Sequence, residues 1–236
     1  MPVRQVSGAF KYVLTSAGAV SGVPIADRAF TLVCVIKSEP VAAPIAVGTV
    51  GLLQMPVCMA TADPGILLIQ SFTDTSEGSV GVDTTWQILA TTHDQPNATP
   101  RFHRKEVSAG SWTHANGTST FVSNSHLADA FQFGMLIGGG GTQHLIATAA
   151  VFLRSLSDPE IESMISTRSI LDRGPAALWD FNQPTVTMPV LDLTRGGANQ
   201  TSQQSTVVIY GDDPPGWQFG LAEPSPPPIV HGRGAT

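Results

Sequence analysis

Residues 146–165 read IATAAVFLRSLSDPEIESMI. A strand-length apolar run ends at Leu153–Arg154, and a fully specified helix start follows at once. Ser157 stands three residues before Glu160, the spacing of a reciprocal capping box, with Leu156 and Ile161 placed to staple it. Ile161, Met164 and Ile165 then recur at helical spacing, which predicts one short helix near 158–168 lying on an apolar surface. Gly174–Pro175 ends the segment.

Outward from that stretch the chain reads as short strands. Residues 30–37 (FTLVCVIK) put Phe30, Leu32, Cys34 and Ile36 on one face and Thr31, Val33 and Val35 on the other. A strand apolar on both faces is one covered on both. Further strands are expected at 47–53, 66–71, 80–83, 86–92, 101–107, 118–123, 131–137, 145–154, 176–181 and 206–210, separated by turn chemistry such as Asp63–Pro64–Gly65. The four glycines at 138–141 precede a strand, not a helix, which favours a wide turn over a phosphate-binding loop. About ten strands with one helix predict an all-β, antiparallel two-sheet sandwich or jelly roll. Residues 1–222 form one expected domain, and the proline-rich 223–236 (EPSPPPIVHGRGAT) an extended arm.

Composition narrows the function classes. The 236 residues carry 12 Lys+Arg against 18 Asp+Glu, a net charge of −6, with no basic run, so neither nucleic acid nor an anionic membrane is an expected partner. The N-terminal MPVRQVSGAFKYVLTSAGAV lacks a signal-like apolar core, and no stretch reaches the roughly 18 apolar residues of a spanning helix. A product made in the cytosol is the expectation. Cys34 and Cys58 each sit in an apolar run and read as buried thiols.

Catalytic patterns are missing. No Glu-x-Asp-x-(x)-Glu pair stands on a strand, and there is no G-x-S-x-G elbow or H-E-x-x-H helix, so a non-enzymatic protein is expected. Arg101 and His103 alternate with Phe102 and read as a solvated face, and the histidines show no ligand spacing, so no metal centre or cofactor is expected. Asp158, Glu160 and Glu162 read as acids favourable to a helix start. Trp112, His114 and Asn116, within SWTHANG at 111–117, combine an aromatic platform with planar polar groups and are the candidate carbohydrate-binding residues. The alternative is a loop whose Trp112 tucks back onto the sandwich. Trp86 and Trp179 read as core, and Trp217 as a pin for the C-terminal segment.

With the strands placed, residues 86–160 resemble the laminin-G-like, concanavalin-A-like jelly roll. Trp86-Gln-Ile-Leu-Ala-Thr-Thr-His-Asp94 is similar to that family's Trp-opened strand, Ile137–Gly138–Gly139 to a later strand end, and residues 149–161 (AAVFLRSLSDPEI) to its closing strand and short helix. Residues 30–37 resemble its early strand. The order departs in one place: Trp179-Asp-Phe181 and Leu191-Asp-Leu-Thr-Arg-Gly-Gly197 resemble the family's opening segment yet stand near the end, so the terminal strands at 176–210 imply a permuted arrangement or an added hairpin. The resemblance implies a possible calcium site at the sandwich rim, for which Asp74, Asp83, Asp94 and Asp129 are the candidates. The low lysine content and the ending LDLTRGGANQTSQQSTVVIYGDDPPGWQFG are similar to the minor tail and capsid-surface proteins of actinobacterial tailed phages. That likeness implies a virion protein in symmetric assembly with other virion proteins, its jelly roll touching host cell-surface glycan. A free-standing carbohydrate-binding module is the alternative, and a glycoside hydrolase a lesser one.

Overall fold

The run FTLVCVIKS forms a central strand, as its two apolar faces require: Thr31 through Ile36 are at most 1% exposed. The computed structural model describes residues 3–6, 13–15, 29–38, 46–50, 57–62, 66–70, 75–81, 83–94, 98–120, 130–133, 144–180, 193–194, 200–203, 208–211 and 214–219. In chain order the strands are β1 (Val3–Val6), β2 (Val13–Thr15), β3 (Phe30–Ser38), β4 (Ala46–Val50), β5 (Val57–Ala62), β6 (Ile66–Gln70), β7 (Thr75–Gly81), β8 (Trp86–His93), β9 (Arg101–Glu106), β10 (Thr113–Asn116), β11 (Ala130–Phe133), β12 (His144–Phe152), β13 (Ala177–Asp180), β14 (Gln200–Gln203) and β15 (Val208–Gly211). Two helices, α1 (Asp158–Glu162) and α2 (Thr167–Leu171), fall between β12 and β13.

The fold is the all-β antiparallel sandwich that the sequence predicts. One sheet of eight strands runs β10-β9-β8-β3-β12-β1-β15, with β13 also paired to β12. A second sheet of five runs β11-β4-β5-β6-β7, and β14 pairs with β2. The pleat sorts the large sheet into two faces. Cys34 opposes Leu89, and Phe102 opposes Thr91, on the face where Phe102 meets β7 of the second sheet. Val33 opposes Ala90 and Val35 opposes Ile88 on the other face, which forms one core with Ile161 and Met164, Ile170 of α2, and Trp217. Trp179 and Trp86 are buried, at 0% and 6% exposure. The Cys34 thiol is free and buried, and burial pushes its pKa far above the ordinary range.

β12 explains how helices can lie so close to the sheet. Its middle is Ala147-Thr148-Ala149-Ala150, with a bulge between Ile146 and Thr148, and small side chains leave room above them. The Thr148 hydroxyl lies 3.1 Å from that of Thr167, and the Trp217 indole N–H donates to both, at 3.2 and 3.3 Å. The exit from β12 is pinned as well: the Thr31 hydroxyl donates to the Arg154 carbonyl at 2.9 Å and accepts from the Leu156 N–H at 3.0 Å.

The expected single helix is two. Glu160 does reach back, accepting from the Ser157 N–H at 2.9 Å and from its hydroxyl at 3.0 Å, while Leu156 and Ile161 are buried together. But α1 stops at Glu162, because Ser166 starts a second helix: its hydroxyl accepts from the Ser169 N–H, and the Ser169 hydroxyl accepts from the Ser166 N–H. Met164 is buried, whereas Ile165, between the two helices, is 62% exposed, against the expectation that it packs. Gly174, at φ +70°, closes α2 in the left-handed conformation that glycine adopts freely.

Glu160 also pairs with Arg154 at 2.8 Å. The Ser157 N–H first, then Arg154, hold its carboxyl down from 4.5 to about 2. A depressed folded-state pKa adds stability that is full above pH 4.5 and is lost as pH falls toward about 2. We therefore expect Glu160→Gln to cost about 1 kcal/mol at pH 7, and next to nothing near pH 2, in urea unfolding at the two pH values.

The sequence does not predict strands at 3–6, 13–15, 57–62, 113–116 and 200–203, whereas β15 overlaps the strand expected at 206–210. The run 118–123 was expected as a strand, yet residues 118–120 are bend and coil and 121–123 lie outside the described residues. The glycines at 138–141 and the arm at 223–236 also lie outside them.

Candidate functional site

The stretch SWTHANG is not a loop. Thr113–Asn116 is the edge strand β10, with His114 opposite His103 and Asn116 opposite Arg101. Alternation then puts Trp112, His114 and Asn116 on the same face as Arg101, His103 and Lys105 of β9. This is the face on which α1 lies, so Asp158 and Glu162 meet the same cluster from above.

Arg101 organises it. Its Nε and Nη2 donate to the two carboxylate oxygens of Asp158 at 2.8 and 2.5 Å, and its Nη1 donates to Asn116 Oδ1 at 2.9 Å. The bidentate pair fixes the planes of both groups. Arg101 holds the Asp158 carboxyl below the usual range, and Asp158 in turn raises the Arg101 pKa. His103 contradicts the solvated-face expectation, since α1 covers this part of the sheet and leaves His103 0% exposed. Burial first, then His114, pull its pKa down to about 4.

The two imidazoles meet through their Nδ1 atoms at 2.8 Å, with ring planes near perpendicular. On their far sides, His103 Nε2 lies 3.1 Å from the Thr92 hydroxyl, and His114 Nε2 lies 3.0 Å from Glu162 Oε1. Asp158 Oδ1 stands 3.8 Å from His103 Nδ1. The expectation that ligand-type groups do not gather therefore fails here: one atom each of His103, His114 and Asp158 lie within 4.8 Å of one another. Sequence spacing hides this, because the three come from β9, β10 and α1.

Trp112 is half-buried, packing against the core cluster while stacking nearly parallel to His114 at 6.2 Å between centroids. Lys105 Nζ lies 6.0 Å over its ring. Its indole N–H is buried and has no hydrogen-bond partner among the described residues. Beside Lys105 a cleft of about 220 Å³ opens between Ile88, Val107, exposed Ile165 and Trp217. Trp217 itself is core, and the Thr167 N–H bonds to the Gln218 carbonyl at 3.0 Å, so residues 214–219 are tied down onto the helices.

Of the calcium candidates, Asp83 is exposed and already engaged. Burial opposes its ionisation, but Thr85, Arg104 and Gln87 together hold its pKa below the usual value. Asp94 is exposed, and Asp74 and Asp129 lie outside the described residues. Among the described residues, no helix is long and apolar enough to cross a membrane.

No protein-family model and no curated protein matches the chain. Among solved structures it is similar to a Bacteroides ovatus protein provisionally described as carbohydrate-binding, with a TM-score of 0.59 at 14% identity. That alignment covers 94% of this chain and 63% of the other, so this chain spans less than two thirds of its neighbour's length. At that identity the likeness bears on the fold alone, and the shared fold is a sandwich. Scytalido-glutamic peptidase aligns over 64% of this chain at a TM-score of 0.32 and 10% identity, too distant to carry an argument.

Proposed function

We propose that the chain is a non-catalytic carbohydrate-binding sandwich, and that its binding face is the one shared by β9, β10 and α1. The observation that carries this reading is the gathering of Trp112, His114 and Asn116 with the Arg101–Asp158 pair at the open edge of the large sheet. Sugars are bound by an aromatic surface flanked by rigid planar hydrogen-bonding groups. Here the guanidinium, amide and carboxylate planes are locked by one another before any ligand arrives. The Bacteroides ovatus neighbour, described in the same terms, supports the reading.

A non-catalytic role is supported by the state of Asp158. It is held as a carboxylate below its usual pKa range by Arg101, which is opposite to what a glycosidase's proton donor needs. The setting we propose is the surface of a phage particle, on the strength of the resemblance in residues 191–220. Mass spectrometry of purified particles that lack the chain would refute that setting without touching the binding reading.

The test is a glycan array followed by titration. Saturable binding is expected, weakened at least tenfold by Trp112→Ala and by Asn116→Ala, each truncation removing roughly 1.4 kcal/mol or more. An array without a saturable ligand, or a bound glycan whose affinity neither substitution alters, refutes it.

A further inference from the structure

We propose that His103 Nδ1, His114 Nδ1 and a carboxylate oxygen of Asp158 form a binding site for a divalent transition-metal ion of the zinc class. The three ligand types are those zinc takes, and three protein ligands leave a position for water or for an oxygen of a bound ligand. Ligand atoms about 2.0–2.1 Å from a tetrahedral zinc lie about 3.4 Å apart. Two sides of the triangle, 2.8 Å between the Nδ1 atoms and 3.8 Å from His103 Nδ1 to Asp158 Oδ1, fall on either side of that spacing, and all three atoms lie within 4.8 Å of one another.

The atoms behind the ligands fit as well. A metal-bound imidazole presents one nitrogen to the ion and donates its other N–H to an oxygen, which fixes ring and tautomer. His114 Nε2 faces the Glu162 carboxylate, which only accepts, so its proton sits there and its Nδ1 lone pair points at the site. His103 Nε2 faces the Thr92 hydroxyl, whose own proton has the Arg101 carbonyl at 3.4 Å as an acceptor. With both outer N–H groups so placed, two Nδ1 lone pairs converge, and a cation between them satisfies both. Without an ion, the pair is satisfied by moving the His103 proton to Nδ1, so binding switches one tautomer. Arg101 braces Asp158 through both oxygens and leaves a lone pair on each.

The site shares His114 and Asp158 with the proposed glycan face but does not rest on that reading, because the experiment contains no sugar. The tag-free full chain is stripped with chelator and titrated with Zn²⁺ by calorimetry. One equivalent is expected to bind, with affinity lowered at least tenfold in His114→Ala and in Asp158→Asn, each checked for an unchanged cooperative melt. Long-range ¹H–¹⁵N spectra of the unmodified chain read the ligands without any substitution. On adding Zn²⁺ the Nδ1 signals of two histidines should move to the metal-bound range while their Nε2 atoms stay protonated. No saturable uptake, uptake undiminished in a folded His114→Ala, or imidazole signals that Zn²⁺ leaves in place would each overturn the proposal.

Discussion

Trp217→Ala lowers the free energy of unfolding by about 3–5 kcal/mol, the range for deleting a large aromatic from a packed core. Trp217 is 6% exposed and sits where β8, β12 and the helices converge. Its removal opens a cavity beneath residues 214–219, and it takes away the indole N–H shared by Thr148 and Thr167. Those two hydroxyls still have each other at 3.1 Å, so Trp217→Phe, which keeps most of the ring, should cost only about 1–2 kcal/mol. Urea unfolding of the two variants separates packing from hydrogen bonding. A Trp217→Ala loss under about 1 kcal/mol would mean that the segment does not close over the helices.

Gly78→Ala is the second large effect, at about 1–3 kcal/mol. A Cβ there would stand 2.6 Å from both Cγ and Cδ2 of Phe102 and 2.9 Å from its Cβ. Phe102 is 0% exposed, so its ring has nowhere to swing, and β7 would have to move off β9. The close approach is where one sheet stacks on the other, with Gly78 also bridged to Gly117. Phe102→Leu in the same chain should recover part of the loss, so that the double variant costs less than the sum of its parts. Guanidinium unfolding of the four proteins of that cycle measures the coupling. A neutral Gly78→Ala would put β7 somewhere other than against Phe102.

The elements legible in sequence are those whose cause is local. FTLVCVIK is apolar on both faces and became a doubly covered strand. Ser157 and Glu160 became a helix start because the capping box needs only four consecutive residues. The second start, Ser166-x-x-Ser169, went unread because a serine hydroxyl replaces the usual carboxylate. β10 is three polar residues and Ala115 at a sheet edge, where a partner strand and not hydrophobic alternation decides the conformation. Part of the candidate site was legible on the same grounds: Trp112, His114 and Asn116 alternate along one short stretch. Arg101, His103, Asp158 and Glu162 were not. Arg101 and Asp158 are 57 residues apart, and only the approach of α1 to β9 turns a polar face into a buried one. The alternation Arg101-x-His103-x-Lys105 opposite Trp112-x-His114-x-Asn116 was the signal available, and it becomes one once the hairpin register is known.

The glycan face is tested most directly by titrating ¹⁵N-labelled protein with an oligosaccharide that binds on the array and following every backbone amide. The expected result is saturable shifts concentrated at 101–105, 112–117 and 158–162, with residues of β5 and β6 on the opposite sheet unmoved. Shifts centred on the second sheet, or none at ligand concentrations that saturate the array signal, would contradict it.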